Sequence, residues 1–511
     1  MKFSHFMAVS AMTLALPASA GYVWGAKSVN SNALRQAVTL EGVRSHQAAL
    51  QSIADANDGD RASGSPGFDA SVAYVKSTLE AAGYNVMVQP FKFPFFQELT
   101  PATFAQTAPG AVGYVYNTDF ATLDYSGSDD VTALVQQVND NVLPPTTTPT
   151  STAGCETADF NGFVPGSIAL IQRGTCSHAQ KVANAATAGA AAAIIFNEGN
   201  PGDLERNDLF FGTLNAPAAI PAISVSFELG STLANTAGLQ AHIVTNTLSE
   251  IRNTANVIAN TAGGRSDRVV VVGAHLDSVP GAAGINDNGS GTAGILEIAV
   301  QMAKLKIKPV NKVRFAFWGA EEVGLLGSTH YVSLLSKKQI KRIALNLNFD
   351  MIGSPNFGRF VYDGDGSDTG TAGPNGSANI ESVFNRYFAK QKLTVKATAF
   401  NGRSDYGPFI DVGIPAGGLF TGAEDIKTAE EAALFGGTAG EAFDPCYHQA
   451  CDTYVNNSDE GLDQMSDAAA DAVLQFAMTR SSGRGTSKAN DRAVTRVSAK
   501  SLPCKGSHLQ K

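Results

Sequence analysis

The hydrophobic positions of this chain gather into short apolar runs that stop abruptly at charge. Val269-Val270-Val271-Val272-Gly273-Ala274 leads into His275 and Asp277, Phe315-Ala316-Phe317-Trp318 leads to Glu321 and Glu322, and Ala344-Leu345-Asn346-Leu347-Asn348-Phe349 ends in Asp350. Such runs predict strands near 268–273, 312–318 and 343–349. Apolar residues at helical spacing predict helices near 292–306, 325–336 and 463–479. This alternation implies an α/β fold, a mostly parallel doubly wound sheet with helices on both faces. Upstream, Val72, Val75, Leu79 and Ala82 share one helical face, and an extended segment from Asn85 to Phe93 follows.

The pattern changes in the middle and at both ends. From about 120 to 250 the chain is rich in Thr, Ala, Gly and Pro, with Pro144-Pro145-Thr146-Thr147-Thr148-Pro149 as a loop. Within it, Ile168 to Cys176 reads as a strand and turn, Lys181 to Ala190 as a helix and Ala193 to Asn197 as a second strand. An inserted domain over 121–250 is expected, dividing 21–120 from 251–480. Met1-Lys2, the apolar Phe6 to Leu16 and Pro17-Ala18-Ser19-Ala20 have the form of a secretory signal over 1–20, so the mature chain is expected to start at Gly21. No other apolar stretch is long enough to span a bilayer, so no stable membrane anchor is expected. Residues 481–511 are polar, net basic and without apolar periodicity, and read as a tail.

Composition narrows the class. The 511 residues, with 16% charged and 8% aromatic, suit a folded protein of more than one domain. A net charge of −9 gives no basis for binding nucleic acid or an anionic membrane. Five cysteines fit the exported compartment that the signal implies. Cys446 and Cys451 are expected to pair around His448, and Cys155 and Cys176 to pair within the insert; Cys504 is left over in the tail.

The charged ends of the runs carry the candidate chemistry. After His275-Leu276-Asp277 comes Ile285-Asn286-Asp287-Asn288-Gly289-Ser290-Gly291, a Gly-rich loop with a further carboxylate. Open α/β enzymes place ligands in this way, at the carboxyl ends of parallel strands. Residues adjacent in an extended chain point to opposite sides, so one of Glu321 and Glu322 can ligate while the other stays free as a base. Glutamate is equally favoured at a solvated helix start. The late segment Cys446-Tyr447-His448-Gln449-Ala450-Cys451-Asp452 offers another imidazole. Together these ends form a set of nitrogen and oxygen donors of the kind zinc takes.

The chain resembles the two-zinc aminopeptidases of the aminopeptidase S and aminopeptidase Y type. The resemblance rests on His275-x-Asp277, Asn286-Asp287-Asn288-Gly289-Ser290-Gly291, Gly319-Ala320-Glu321-Glu322-Val323-Gly324, Asn348-Phe349-Asp350-Met351 and Tyr447-His448. Arg61-Ala62-Ser63-Gly64-Ser65-Pro66-Gly67 and Ala82-Gly83-Tyr84-Asn85-Val86 extend it upstream, so that it covers about 40 to 480. It implies two Zn2+ ions per chain, with His275 and Asp350 on one, Glu322 and His448 on the other, and Asp287 between them. Glu321 would be the general base toward a metal-bridged hydroxide, Asp277 would orient His275, and Tyr447 would stabilise the oxyanion. It also implies a cis peptide at Asp287-Asn288 and a loop from Gly402 to Phe409 beside the substrate, although a surface turn reads those residues equally well. Arg173 to Asn197 resembles the protease-associated domain, a non-catalytic β-rich module in which His178 and Glu198 are structural.

The expected activity is a secreted zinc aminopeptidase acting on peptides with a free N-terminus, in an extracellular, periplasmic or vacuolar setting, as a monomer. A carboxypeptidase or dipeptidase on the same core would need a cation for the substrate carboxylate, which Arg403 could supply. A related single-zinc aminoacyl cyclase would differ in metal count. A receptor-like relative would lack ligands, and none is missing here. His5, His46, His242, His330 and His508 read as structural or solvent-facing.

Overall fold

The computed structural model describes residues 29–479. The signal at 1–20, the tail at 481–511, His5, His508 and Cys504 lie outside the described residues.

Four strands run parallel at the centre of the main sheet, in the order Ala416–Phe420, Ile343–Phe349, Arg265–His275 and Asn311–Trp318. All three strands expected from the apolar runs are among them. Both faces of the Val269 to Val272 run are covered, which is why it is apolar without alternation. Val270, Val272 and Ala274 pack with helices Leu40–Asp55, Gly289–Lys304 and Asp459–Met478 on one face. Val269 and Val271 pack with Tyr331, Val332 and Phe409 on the other. The fold is therefore α/β, with helices on both sides of the sheet.

Helix Gly289–Lys304 begins three residues before the expected Thr292, because Asn288 caps it by accepting the amide N–H of Gly291. Gly291 must be glycine there, since a Cβ would stand 2.2 Å from the Phe349 carbonyl oxygen. This close approach brings the start of the helix against the end of the strand that delivers Asp350.

The extended segment expected to end at Phe93 instead runs from Asn85 to Ala108. It pairs antiparallel with Gln240–Asn260, register Asn85↔Asn260 to Ala108↔Gln240, with shifts between Glu98 and Thr103. Local periodicity underestimates such a strand because its burial pattern is broken along its length. The long ribbon joins the two parts of the molecule. At one end Gln240–Asn260 pairs with Asn311–Trp318, and at the other with Asp129–Gln137 of the insert. The insert continues as Asp129–Gln137, Ile168–Gln172, Ala192–Phe196 and Ala222–Val225, all parallel, with helices His178–Thr187 and Phe227–Ala234 between strands. No helix among the described residues is long and apolar enough to cross a membrane.

Candidate metal centre

The carboxyl ends of three parallel strands and one late loop converge. His275 is the last residue of its strand, Asp350 follows Ile343–Phe349, and Glu321 and Glu322 follow Asn311–Trp318. Asp287 lies in the loop before helix Gly289–Lys304, and its peptide bond to Asn288 is cis, as the family resemblance implies. His448 comes from the loop closed by the Cys446–Cys451 disulfide. The second expected pair, Cys155–Cys176, also forms.

The geometry divides about one carboxylate. Oδ1 of Asp287 lies 3.1 Å from Nε2 of His275, which also stands 3.3 Å from Oδ1 of Asp350. Oδ2 of Asp287 lies 3.2 Å from Nε2 of His448, which in turn is 3.0 Å from Oε2 of Glu322. Donors about 2.0–2.1 Å from a tetrahedral zinc stand roughly 3.3 Å from one another, so both sets have the spacing of ligand shells. Glu322 Oε1 and Asp350 Oδ1 are buried without any hydrogen-bond partner. Buried carboxylates need a counter-charge, and a cation shared by these donors would provide it. The residues therefore fit the metal group that the sequence suggests.

Glu321 and Glu322 do not alternate on an extended strand. Ala320 has φ 54°, which turns the chain at the strand end, and both carboxylates reach the cluster. Glu321 groups with His275 and Asp350, and Glu322 with His275 and Asp287. Met351 (φ 48°) and His448 (φ 55°) are also left-handed. Non-glycine residues there are strained by about 1–3 kcal/mol and gather at functional sites; three of them touch this centre.

Electrostatics reflects the crowding. Burial raises Glu321 well above the ordinary range, and Asp405, Glu322 and Asp350 add to this against the opposing pull of His275. Glu322 is pushed up to about 7, first by burial and then by Asp287. Burial works against protonation of His448, but Glu322 and Asp287 outweigh it and raise the imidazole to about 11. Asp277 touches His275 twice, through its carbonyl at 3.1 Å and its carboxylate at 3.6 Å from Nδ1, and it accepts the backbone N–H of Glu321 at 3.2 Å. The Tyr447 ring stacks on His448, and its hydroxyl accepts from Arg403 at 3.1 Å.

Some residues at the centre carried no recognised role in the sequence. The loop at 402–409 is not a surface turn at its middle, since Ser404, Asp405 and Tyr406 are buried. Ser404 donates to Oδ2 of Asp350 at 2.5 Å and accepts from Asn348 at 2.7 Å. Asp405 is a further buried carboxylate, raised to about 7, chiefly by burial. Asp452 holds the Asp287 loop by its amides. The signal that could have found Asp452 is its place beside Cys451; Ser404 and Asp405 offered only the Arg403-Ser404-Asp405-Tyr406 run. Arg403 lines the same pocket as the metal cluster, along with Tyr362, Thr398, Phe420 and Asp425. Its guanidinium is engaged by Glu424 at 2.8 Å. Outside the centre, His46 bonds to Tyr74 and Glu297, His330 stacks on Phe91, His178 packs on Phe210 and Glu198 pairs with Arg206, all as structural residues.

Comparison with known proteins agrees with this centre. The profile of peptidase family M28 matches residues 256–473, and that of the PA domain matches 134–233. An aminopeptidase of Pseudomonas aeruginosa is 50% identical over 421 residues, covering 82% of this chain and 78% of its own. Leucine aminopeptidase 2 of Trichophyton equinum is 37% identical over 502 residues, covering 97% and 96%. Among solved structures, the aminopeptidase from Aneurinibacillus sp. strain AM-1 matches with a TM-score of 0.64 and 28% identity, over 89% of this chain and 98% of that one. The chain belongs to peptidase family M28, among the co-catalytic zinc aminopeptidases that carry an inserted PA domain. It is a metallo-aminopeptidase.

Proposed function

We propose that this protein is an exported two-zinc aminopeptidase that releases N-terminal residues from peptides. The observation that carries the metal count is the division of Asp287, one oxygen facing His275 and the other His448. In this reading His275 and Asp350 would hold one ion and Glu322 and His448 the other, with Asp287 facing both sets. When bound, the pair would polarise the scissile carbonyl and activate a water.

The chain's own residues do the rest. Glu321, buried and grouped with His275 and Asp350, is the carboxylate left over once the two ligand sets are assigned; it takes the proton of the attacking water and returns it to the leaving amine. Asp277 keeps His275 in the ligating tautomer and fixes the backbone of Glu321. Tyr447 lines the same pocket, its hydroxyl accepting from Arg403, and would stabilise the charge that develops on the carbonyl oxygen. Met351, Tyr362, Ala399 and Phe420 line the pocket beyond the ligands. Thr398, Asn401, Arg403, Ser404 and Asp425 line it as well, so the preference for an apolar N-terminal side chain is proposed from the relatives named leucine aminopeptidase. Arg403 lines the pocket but its guanidinium is already engaged by Glu424, which favours the aminopeptidase reading over a carboxypeptidase one. Export through the 1–20 signal is supported by two disulfides, which persist in oxidising compartments. A monomer that binds neither nucleic acid nor membrane completes the proposal, with the insert flanking the cleft and restricting access.

The test compares leucine amides with free and acetylated amines on protein whose metal has been counted by mass spectrometry. Two zincs and activity confined to the free amine are expected. Full activity with one zinc would overturn the two-metal assignment, and equal turnover of the blocked amide would overturn the aminopeptidase.

A further inference from the structure

The loop that carries Asp287, between strand Arg265–His275 and helix Gly289–Lys304, has no regular secondary structure, yet its backbone is held at both polarities. On the carbonyl side, the fully buried guanidinium of Arg61 donates to Leu276 at 2.6 Å and to Ala283 and Gly284 at 2.7 Å. On the amide side, the buried carboxylate of Asp452 takes one N–H on each oxygen, Asn286 at 2.8 Å and Asp287 at 2.9 Å. Two successive amides on one carboxylate restrict both the position and the tilt of the Asp287 backbone. Asp452 directly follows Cys451, which closes the loop that presents His448. Just before that loop, Asp444 accepts from the Asn286 side chain at 2.6 Å and from Asn456 at 2.9 Å. The His448 loop and the Asp287 loop thus share one frame.

We propose that Asp452 is a positioning residue for the metal centre, setting Asp287 midway between the two ligand sets and coupling its place to that of His448. It touches no candidate ligand atom and acts through the amides. A residue that holds a metal ligand in place without touching the metal typically contributes about 10–100-fold to metal affinity. Because Asp287 faces both sets, displacing it should weaken both metals together, whereas loss of a terminal ligand weakens one.

The inference rests on the two-metal reading, so the wild-type protein is titrated first against a chromogenic chelator. Asp452→Asn then replaces one acceptor oxygen with an N–H donor facing an amide. Both zincs are expected to weaken by about 10–100-fold while the melting temperature of the zinc-stripped protein stays close to wild type; His448→Ala should weaken one. If the Asn variant does not fold, Asp452→Glu keeps charge and both oxygens on a longer arm, and the same joint loss is expected. Two zincs in wild type with unchanged affinities in the variant would overturn the positioning role alone. So would weakening confined to one zinc, or a fall in the stability of the stripped protein without loss of affinity. Fewer than two zincs in wild type would overturn the two-metal reading, and this inference with it.

Discussion

In the metal centre, Glu322 Oε1 is buried without a hydrogen-bond partner, Asp350 Oδ1 is buried without a hydrogen bond beside His275 at 3.3 Å, and Asp405 stands close by as a further buried acid. In the insert, the fully buried ammonium of Lys181 donates to the Ala153 carbonyl. There too, Gln172 bonds to Val142 and to the Glu198 carbonyl, and Asn197 donates to the Glu205 and Asp208 carbonyls. Both regions bury polar groups, but one crowds carboxylates in excess of its two imidazoles while the other answers its polar groups internally. Buried acids without partners cost several kcal/mol each unless a cation is supplied. Pairing within the chain marks structure, and crowding of one sign marks a place for something the chain does not itself contain. The insert has lesser exceptions in Glu198 Oε1 and Asn200 Oδ1, but Glu198 keeps Arg206 on its other oxygen.

The comparison breaks most visibly at Glu321. Glu321→Gln should keep both metals and lose about 10²–10⁴-fold in kcat, the range for a general acid–base group. Turnover near wild type would remove Glu321 from the chemistry. A change of equal isosteric size in the insert, Gln172→Glu, should leave kcat on a small amide unaltered.

The two disulfides sharpen it next. Cys446–Cys451 spans 5 residues and Cys155–Cys176 spans 21. In the chain-entropy account the shorter loop contributes less to global stability, so its effect should be local to Tyr447, His448 and Asp452. Replacing Cys446 and Cys451 by Ser should lower zinc affinity by about 10-fold or more, as when a residue that holds a ligand in place is lost, with a smaller change in the melting temperature of stripped protein. Replacing Cys155 and Cys176 should do the reverse, destabilising the insert by about 2–4 kcal/mol with small-amide turnover intact. Unchanged zinc affinity in the first variant, or lost hydrolysis in a folded second one, would abolish the distinction.

The smallest expected effect concerns pH. Asp124 of the insert is raised to about 6, first by burial and then by Glu98. A carboxyl whose folded value lies above its unfolded value near 3.9 binds more protons folded than unfolded. Its protonated form therefore favours folding, and stability falls as pH rises from about 4 to about 6. Asp124→Asn should raise the melting temperature at pH 8 by a few degrees, on the order of 1–3 kcal/mol, and leave it unchanged at pH 4. An equal gain at both pH values would show that ionisation is not the cause.

Much of the site was legible because its signals are local. An apolar run that stops at His275, at Glu321-Glu322 or at Asp350 is read within ten residues, and the strands lie where those runs place them. Ser404 is different. Nothing in Gly402-Arg403-Ser404-Asp405 separates a surface turn from a buried support of Asp350, because only packing against Asn348 decides it. The long ribbon of Asn85–Ala108 was cut short at Phe93 for a related reason, since its partner lies in Gln240–Asn260 and its pattern changes where it leaves the catalytic sheet for the insert.

By itself the sequence determined the α/β alternation, the candidate donors that the structure brings together, the two cysteine pairs and the presence of an insert. Each of these is written in composition or in a period of a few residues. Tertiary structure alone decided that both adjacent glutamates turn toward one cluster, that Asp287 divides its oxygens between two histidines, and that Arg61 holds its loop by the carbonyls while Asp452 holds it by the amides. These are contacts between residues tens to hundreds of positions apart. Their geometry depends on how close-packed elements meet, and no local pattern carries that information.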